Sequence, residues 1–125
     1  MPLFKRKPRL LVLDDDASMQ RLIALLLRRE GHPVDVVSEA SAAIERLRNN
    51  QYGALLLDIM TPTEGGMTVI KHLKESNPAM LKRVILVTGS PDSLLKAVAK
   101  DIFAVVRKPF GADELKETLA RLLRA

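Results

Sequence analysis

Four short stretches of this chain place reactive side chains where apolar runs end: Asp14-Asp15-Asp16, Asp58, Thr88-Gly89-Ser90 and Lys108-Pro109-Phe110. Carboxylates gathered in one place repel each other and raise each other's pKa unless a cation compensates them. An all-oxygen set with few carboxylates and room for water suits Mg²⁺, which also takes phosphate oxygens as ligands. A lysine adds a point charge for an anion, and a threonine adds a hydroxyl donor. Together these groups fit the transfer of a phosphoryl group onto a carboxylate, a known type of covalent intermediate. Each stretch alone has a plainer reading. Asp at a strand end is commonly a helix cap, which is the expectation for Asp16; Lys-Pro is a common turn; Thr-Gly-Ser is ordinary loop chemistry. The combination is the specific signal.

The elements that must position these residues alternate along the chain. Arg9-Leu-Leu-Val-Leu-Asp14 is a short apolar run, followed by Met19, Leu22, Ile23, Leu26 and Leu27 at helical spacing. Gly31 and Pro33 end that helix through a left-handed cap and a residue that cannot continue it. Residues 34–37 form a second strand, and Ala40, Ala43, Ile44 and Leu47 mark a second helix with Ser38 as the expected N-cap. Ala54-Leu-Leu-Leu-Asp58 is the third strand; Val69, Ile70 and Leu73 mark the third helix. Residues 83–88 and 102–106 supply the last two strands. Leu94, Leu95, Val98 and Ala99 lie on a fourth helix, and Leu115, Leu119 and Leu122 on a fifth. Strands that read as continuous aliphatic runs belong to a parallel sheet covered on both faces. The expected architecture is therefore α/β, a doubly wound five-stranded parallel sheet with five helices and strand order 2-1-3-4-5. That order comes from the class and not from any spacing. In such sheets ligands bind beyond the carboxyl ends of the strands, where winding reverses, and that is where the four stretches fall.

The composition is that of one globular domain: 125 residues, 47% hydrophobic and 28% charged, with only 6 Gly and 7 Pro. The absence of Cys excludes disulfides, thiol catalysis and cysteine-ligated metal centres and fits a cytoplasmic location. The longest apolar run, residues 22–27, is far too short to span a membrane, so no membrane partner is expected. The net charge of +5 comes from bases scattered over helix faces, and aromatics make up only 3%. Without a platform for stacking bases, direct nucleic-acid binding is not expected. Lys5, Arg6 and Lys7 sit in a basic leader over residues 1–8, ahead of the domain at 9–125.

On these motifs the sequence resembles the receiver domain of bacterial two-component response regulators, the chemotaxis-regulator-like family. The resemblance rests on Leu-Val-Leu-Asp14-Asp15-Asp16, Leu-Leu-Leu-Asp58-Ile-Met60-Thr-Pro62, Leu86-Val-Thr88-Gly-Ser90 and Val106-Arg-Lys108-Pro109-Phe110, and spans roughly residues 10–123. It implies a flavodoxin-like receiver fold with Asp58 as phosphoacceptor. Asp14 and Asp15 would hold Mg²⁺ together with Asp58, Asp15 more directly than Asp14, and Met60 would lend its backbone carbonyl. Thr88 and Lys108 would each bind a phosphoryl oxygen, and the Lys108-Pro109 peptide would be cis. The donor would be a phosphohistidine on a sensor histidine kinase or phosphotransfer protein, and the output a protein contact or an effector domain. The chain would be a signalling phosphoacceptor rather than an enzyme acting on other substrates. His32 and His72 read as surface residues outside this chemistry.

Three departures from the family pattern stand out. Receivers usually carry an aromatic three residues before the site lysine, and here that position is Val105. The loop after the acceptor is Thr61-Pro62-Thr63-Glu64-Gly65-Gly66 instead of Met-Pro-x-x-Asp-Gly, and Asp101-Ile102 replaces Gly-Ala before the fifth strand. Val105 removes the usual threonine–aromatic relay. Residues two beyond the acceptor and two beyond the threonine, Met60 and Ser90, line the path of attacking water in the family, and bulky, apolar Met60 implies slow self-dephosphorylation. Ala24 and Leu25 read as lying off the inward stripe of the first helix, where the family docks its histidine donor.

Other readings fit less well. A dehalogenase-type phosphatase needs a second acid where Met60 stands. A flavin carrier needs a hydroxyl- and glycine-rich loop after the first strand, where three Asp occur, and a nucleotide site needs a glycine-rich loop that is absent. The surviving alternative is a receiver-shaped binding module not regulated by phosphate.

Overall fold

The computed structural model describes residues 7–59 and 65–125. Its five strands are β1 (Leu10–Leu13), β2 (Val34–Val37), β3 (Ala54–Leu57), β4 (Val84–Thr88) and β5 (Ala104–Arg107). The helices are α1 (Ala17–Arg29), α2 (Ala40–Asn49), α3 (Gly66–Ser76), α4 (Asp92–Ala99) and α5 (Ala112–Arg124), with a 3-10 turn at Pro78–Arg83. All strand pairs are parallel and the order is β2-β1-β3-β4-β5, as the class predicted.

The aliphatic runs have a direct cause. Successive side chains of a strand point to opposite faces, and both faces here are covered. Leu11, Leu13, Leu55, Leu57, Val84 and Leu86 point into one core layer with Val69, Ile70 and Leu73 of α3 and Leu95 and Val98 of α4. Leu10, Val12, Ala54, Leu56, Ile85 and Val87 point into the other, with Ile23 and Leu27 of α1 and Leu115, Leu119 and Leu122 of α5. A polar residue at any of these positions would be stranded between sheet and helix. Edge strand β2 carries a polar residue in mid-strand: Asp35 takes an ion pair from Arg9 at 3.1 Å and a hydrogen bond from the Tyr52 hydroxyl at 2.6 Å.

Several local expectations change. Ser38 does not cap α2: the cap position is Glu39, without a side-chain cap bond, and the Ser38 hydroxyl instead accepts from Gln20 at 2.9 Å. Ala24 is buried under α1 rather than lying off its inward stripe. His32 is also buried, not on the surface, because its Nδ1 meets the Pro8 carbonyl at 2.8 Å, a contact across 24 residues. Arg83 belongs to the 3-10 turn and not to β4. The last strand begins at Ala104: Ile102 is buried in the α3/α4 layer ahead of it, and the Phe103 N–H already donates to the Val84 carbonyl. Gly31 ends α1 with φ of 92°, the left-handed conformation anticipated there.

Candidate phosphoryl and metal site

Thr88 is the last residue of β4, and Asp14, Asp58 and Lys108 are each carried one step past a strand by the hydrogen-bond ladder itself. The Asp14 N–H donates to the Val37 carbonyl, the Asp58 N–H to the Leu13 carbonyl and the Lys108 N–H to the Thr88 carbonyl. The sheet thus delivers four side chains from chain positions far apart to one end. Behind Asp58 the backbone is crowded. The Gly66 N–H donates to the Asp58 carbonyl at 2.8 Å, and a Cβ at Gly66 would lie 3.0 Å from that oxygen and 3.1 Å from Leu57 Cβ. Gly66 therefore lets α3 start directly against the end of β3.

Asp16 is taken up by capping α1, as expected: its Oδ1 accepts from the N–H groups of Ser18 and Met19. Asp14 folds back locally, its Oδ1 accepting the Asp16 N–H at 2.9 Å. Its other oxygen, Oδ2, lies 2.7 Å from Lys108 Nζ, and the same ammonium lies 2.9 Å from Asp58 Oδ2. Thr88 donates to Asp58 Oδ1 at 2.7 Å. Asp14, Asp58, Thr88 and Ser90 are buried, Lys108 is half-buried and Asp15 is exposed. The Lys108-Pro109 peptide is cis. Gln20 contributes from α1: its side-chain amide donates to the Asp14 carbonyl as well as to Ser38.

The electrostatics follow from this placement. Burial by itself lowers the pKa of Lys108, but its hydrogen bonds to Asp14 and Asp58 and their charges outweigh burial, so the ammonium is held above the ordinary lysine value. One ammonium offsets only part of the charge of three carboxylates. Ligand oxygens from Asp14, Asp15 and Asp58 all lie within 4.8 Å of one another. Oxygen donors this close, two buried and one open to solvent, match the donor set of a hard divalent cation that retains water, so the residues present fit Mg²⁺.

The structure thus brings together Asp14, Asp15, Asp58, Thr88 and Lys108. Met60 and its carbonyl lie outside the described residues, as do 61–64. Sequence reasoning missed Gln20, which carries no motif signal, and the bond between Ser90 and Thr88. A concavity of about 660 Å³ at the opposite end of the sheet, lined in part by Leu47, Tyr52, His72 and Met80, contains none of the site residues.

Comparison with known proteins agrees with this geometry. Residues 10–120 match the model of the response regulator receiver domain. The transcriptional regulatory protein DltR of Streptococcus agalactiae is 34% identical over 116 residues, covering 91% of this chain and 50% of DltR. The response regulator ArlR of Staphylococcus saprophyticus is 26% identical, covering 93% of this chain and 52% of ArlR. The chain thus spans about half the length of the curated relatives it matches. Among solved structures, the response regulator TrrA of Thermotoga maritima, in complex with Mg²⁺ and BeF, superposes with a TM-score of 0.83. The two are 26% identical over 94% of this chain and 100% of TrrA. A site of three convergent carboxylates, a threonine and a lysine at the carboxyl end of a 2-1-3-4-5 sheet, together with these similarities, identifies the chain as a member of the response regulator receiver family.

Proposed function

We propose that this chain accepts a phosphoryl group on Asp58 from a phosphohistidine of a sensor kinase or phosphotransfer protein, and that the modified state alters a protein-contact surface. The observation that carries the reading is the convergence of Thr88 and Lys108 on the two oxygens of one buried carboxylate. In the transfer, an Asp58 oxygen bonds to phosphorus, the bond from phosphorus to the donor imidazole nitrogen breaks, and that nitrogen keeps the electron pair. Lys108 is held cationic and placed to pair with a phosphoryl oxygen; Thr88 offers a hydroxyl proton to another. Asp14 and Asp15, with Asp58, would hold Mg²⁺, which when bound neutralises charge developing on the phosphoryl oxygens. The Met60 carbonyl is proposed as a further ligand on the resemblance alone. Support for the metal reading comes from the mutual proximity of the three carboxylates and from the Mg²⁺ and BeF bound by the similar TrrA.

The half-length coverage of DltR and ArlR is consistent with a domain that works joined to an output domain in such proteins. Any nucleic-acid contact is assigned to such a partner domain and not to this chain.

Mg²⁺-dependent labelling by acetyl phosphate, lost in Asp58→Ala, is the expected result. A second reading, a receiver-shaped binding module indifferent to phosphate, draws on Val105 in place of the usual aromatic. It predicts no labelling of the parent chain under the same conditions.

A further inference from the structure

The Thr88 hydroxyl is fully enclosed and makes three contacts. It donates to Asp58 Oδ1 at 2.7 Å, meets Ser90 Oγ at 2.9 Å and accepts the Ser90 N–H at 3.2 Å. A hydroxyl owns one proton and two lone pairs. An ionised Asp58 is acceptor-only, so the single Thr88 proton goes to it. The proton between Thr88 and Ser90 must then belong to Ser90. Both lone pairs of Thr88 are filled by one neighbour, through its hydroxyl and through its backbone N–H. Thr88 is 0% and Ser90 1% exposed, so bulk water does not compete for either bond.

We infer that Ser90 is a positioning residue whose hydroxyl, by donating to Thr88, aims the threonine proton at the phosphoacceptor. The inference rests on the phosphoacceptor reading above and adds to it the orientation of one of its parts. Threonine hydroxyls have more than one accessible χ1 well. Leaving the Thr88–Asp58 direction would leave the Ser90 donor without its acceptor inside the protein, which is costly. Val105 has no polar group to perform this service, since its aliphatic side chain packs into the α3/α4 core layer. Donation into Thr88 also polarises its O–H, because linked hydrogen bonds strengthen one another by roughly 10–30%. The chain Ser90→Thr88→Asp58 therefore acts on the electrophile's side of the reaction, offering a stronger and better-aimed donor to a phosphoryl oxygen.

The test is the rate of acetyl phosphate labelling of the full chain with Mg²⁺, in single and double variants. Ser90→Ala should slow labelling about threefold to tenfold, the loss expected of one ordinary hydrogen bond. Ser90→Thr should stay near the parent rate. Ser90→Val, which matches threonine in shape but has no hydroxyl, should be slow like alanine, and this pair separates the hydroxyl from packing. In a Thr88→Val background the Ser90→Ala change should have little further effect, which a merely structural role for Ser90 would not produce. Labelling of Ser90→Ala at the parent rate, or an equal loss with and without the Thr88 hydroxyl, overturns the inference while leaving the phosphoacceptor reading standing. A parent chain that takes no label defeats both.

Discussion

Lys108 Nζ lies 2.9 Å from Asp58 Oδ2, an ion pair joining residues fifty positions apart in the chain. The same ammonium reaches Asp14 at 2.7 Å, so one cation already stands where a divalent ion would share ligands. Removing it has two opposite consequences. Lys108→Met should leave Mg²⁺ affinity unchanged or higher, because a competing cation is gone from Asp14 and Asp58. Labelling of Asp58 should fall about tenfold or more, the rate equivalent of one charge-assisted hydrogen bond. Calorimetric titration with Mg²⁺ and acetyl phosphate labelling read the two effects separately; weaker Mg²⁺ binding in the variant would contradict the charge argument.

Tyr52 makes a pH prediction at the other end of the sheet. Burial, then its hydrogen bond to Asp35 and the charge of that carboxylate, raise the phenol well above its ordinary value of 10.0, against smaller opposing effects of Arg46 and Arg9. A group with a raised folded-state pKa contributes stability that is complete below the unfolded value and is lost as pH rises through the folded one. The native protein should therefore lose stability as pH climbs above about 10. The chain has one Tyr and no Trp, so tyrosinate absorbance reads this residue alone. Little tyrosinate should form in the folded protein where the denatured chain is half ionised. Tyr52→Phe should cost about 1–2 kcal/mol at neutral pH and flatten the alkaline decline, measured as the urea midpoint against pH.

Leu22 and Leu25 lie one helical turn apart on α1 and are 43% and 49% exposed. The receiver resemblance puts the histidine donor against this helix, where two uncovered leucines would offer it an apolar contact. Leu25→Asp should reduce transfer from a sensor kinase that labels the parent chain by about tenfold, as for the loss of an interface anchor. Acetyl phosphate labelling should be unaffected, and the denaturation midpoint should move by no more than about 0.5 kcal/mol, as for a surface change. Equal losses with both donors would assign Leu25 to the fold instead of the interface.

Met60 stands two residues beyond Asp58, the position that the receiver resemblance puts on the approach of water. Its thioether is at most a weak acceptor and donates nothing, so it cannot orient a nucleophilic water. Met60→Asn should shorten the lifetime of the phosphorylated protein about threefold to tenfold, followed as loss of label after donor removal. An unchanged or longer lifetime would mean that this position does not govern hydrolysis here.

Much of the molecule was legible in the chain because its signals are local or repeat with a fixed period. Unbroken aliphatic runs such as residues 54–57 and 84–87 read as strands covered on both faces, and the two core layers bear that out. Asp14, Asp15, Asp58, Thr88 and Lys108 were recognisable because a parallel sheet puts every strand's carboxyl end on the same side. What failed were assignments that depend on partners far along the chain. Ser38 has the chemistry of a cap, but Gln20 of another helix takes its oxygen. His32 is polar enough for the surface, yet the Pro8 carbonyl draws it inside. Ala24 has too small a side chain to declare its face by pattern.

Residue type and order by themselves determined the fold class, the strand-end chemistry and the family resemblance. Only tertiary structure decided which oxygen of Asp58 meets Lys108 and which meets Thr88, and that the Ser90 hydroxyl lies within hydrogen-bond distance of the Thr88 hydroxyl. The physical reason is range. Backbone propensity and hydrophobic period act over a few neighbours, whereas a hydrogen bond of under 3 Å is set by how whole strands register against one another.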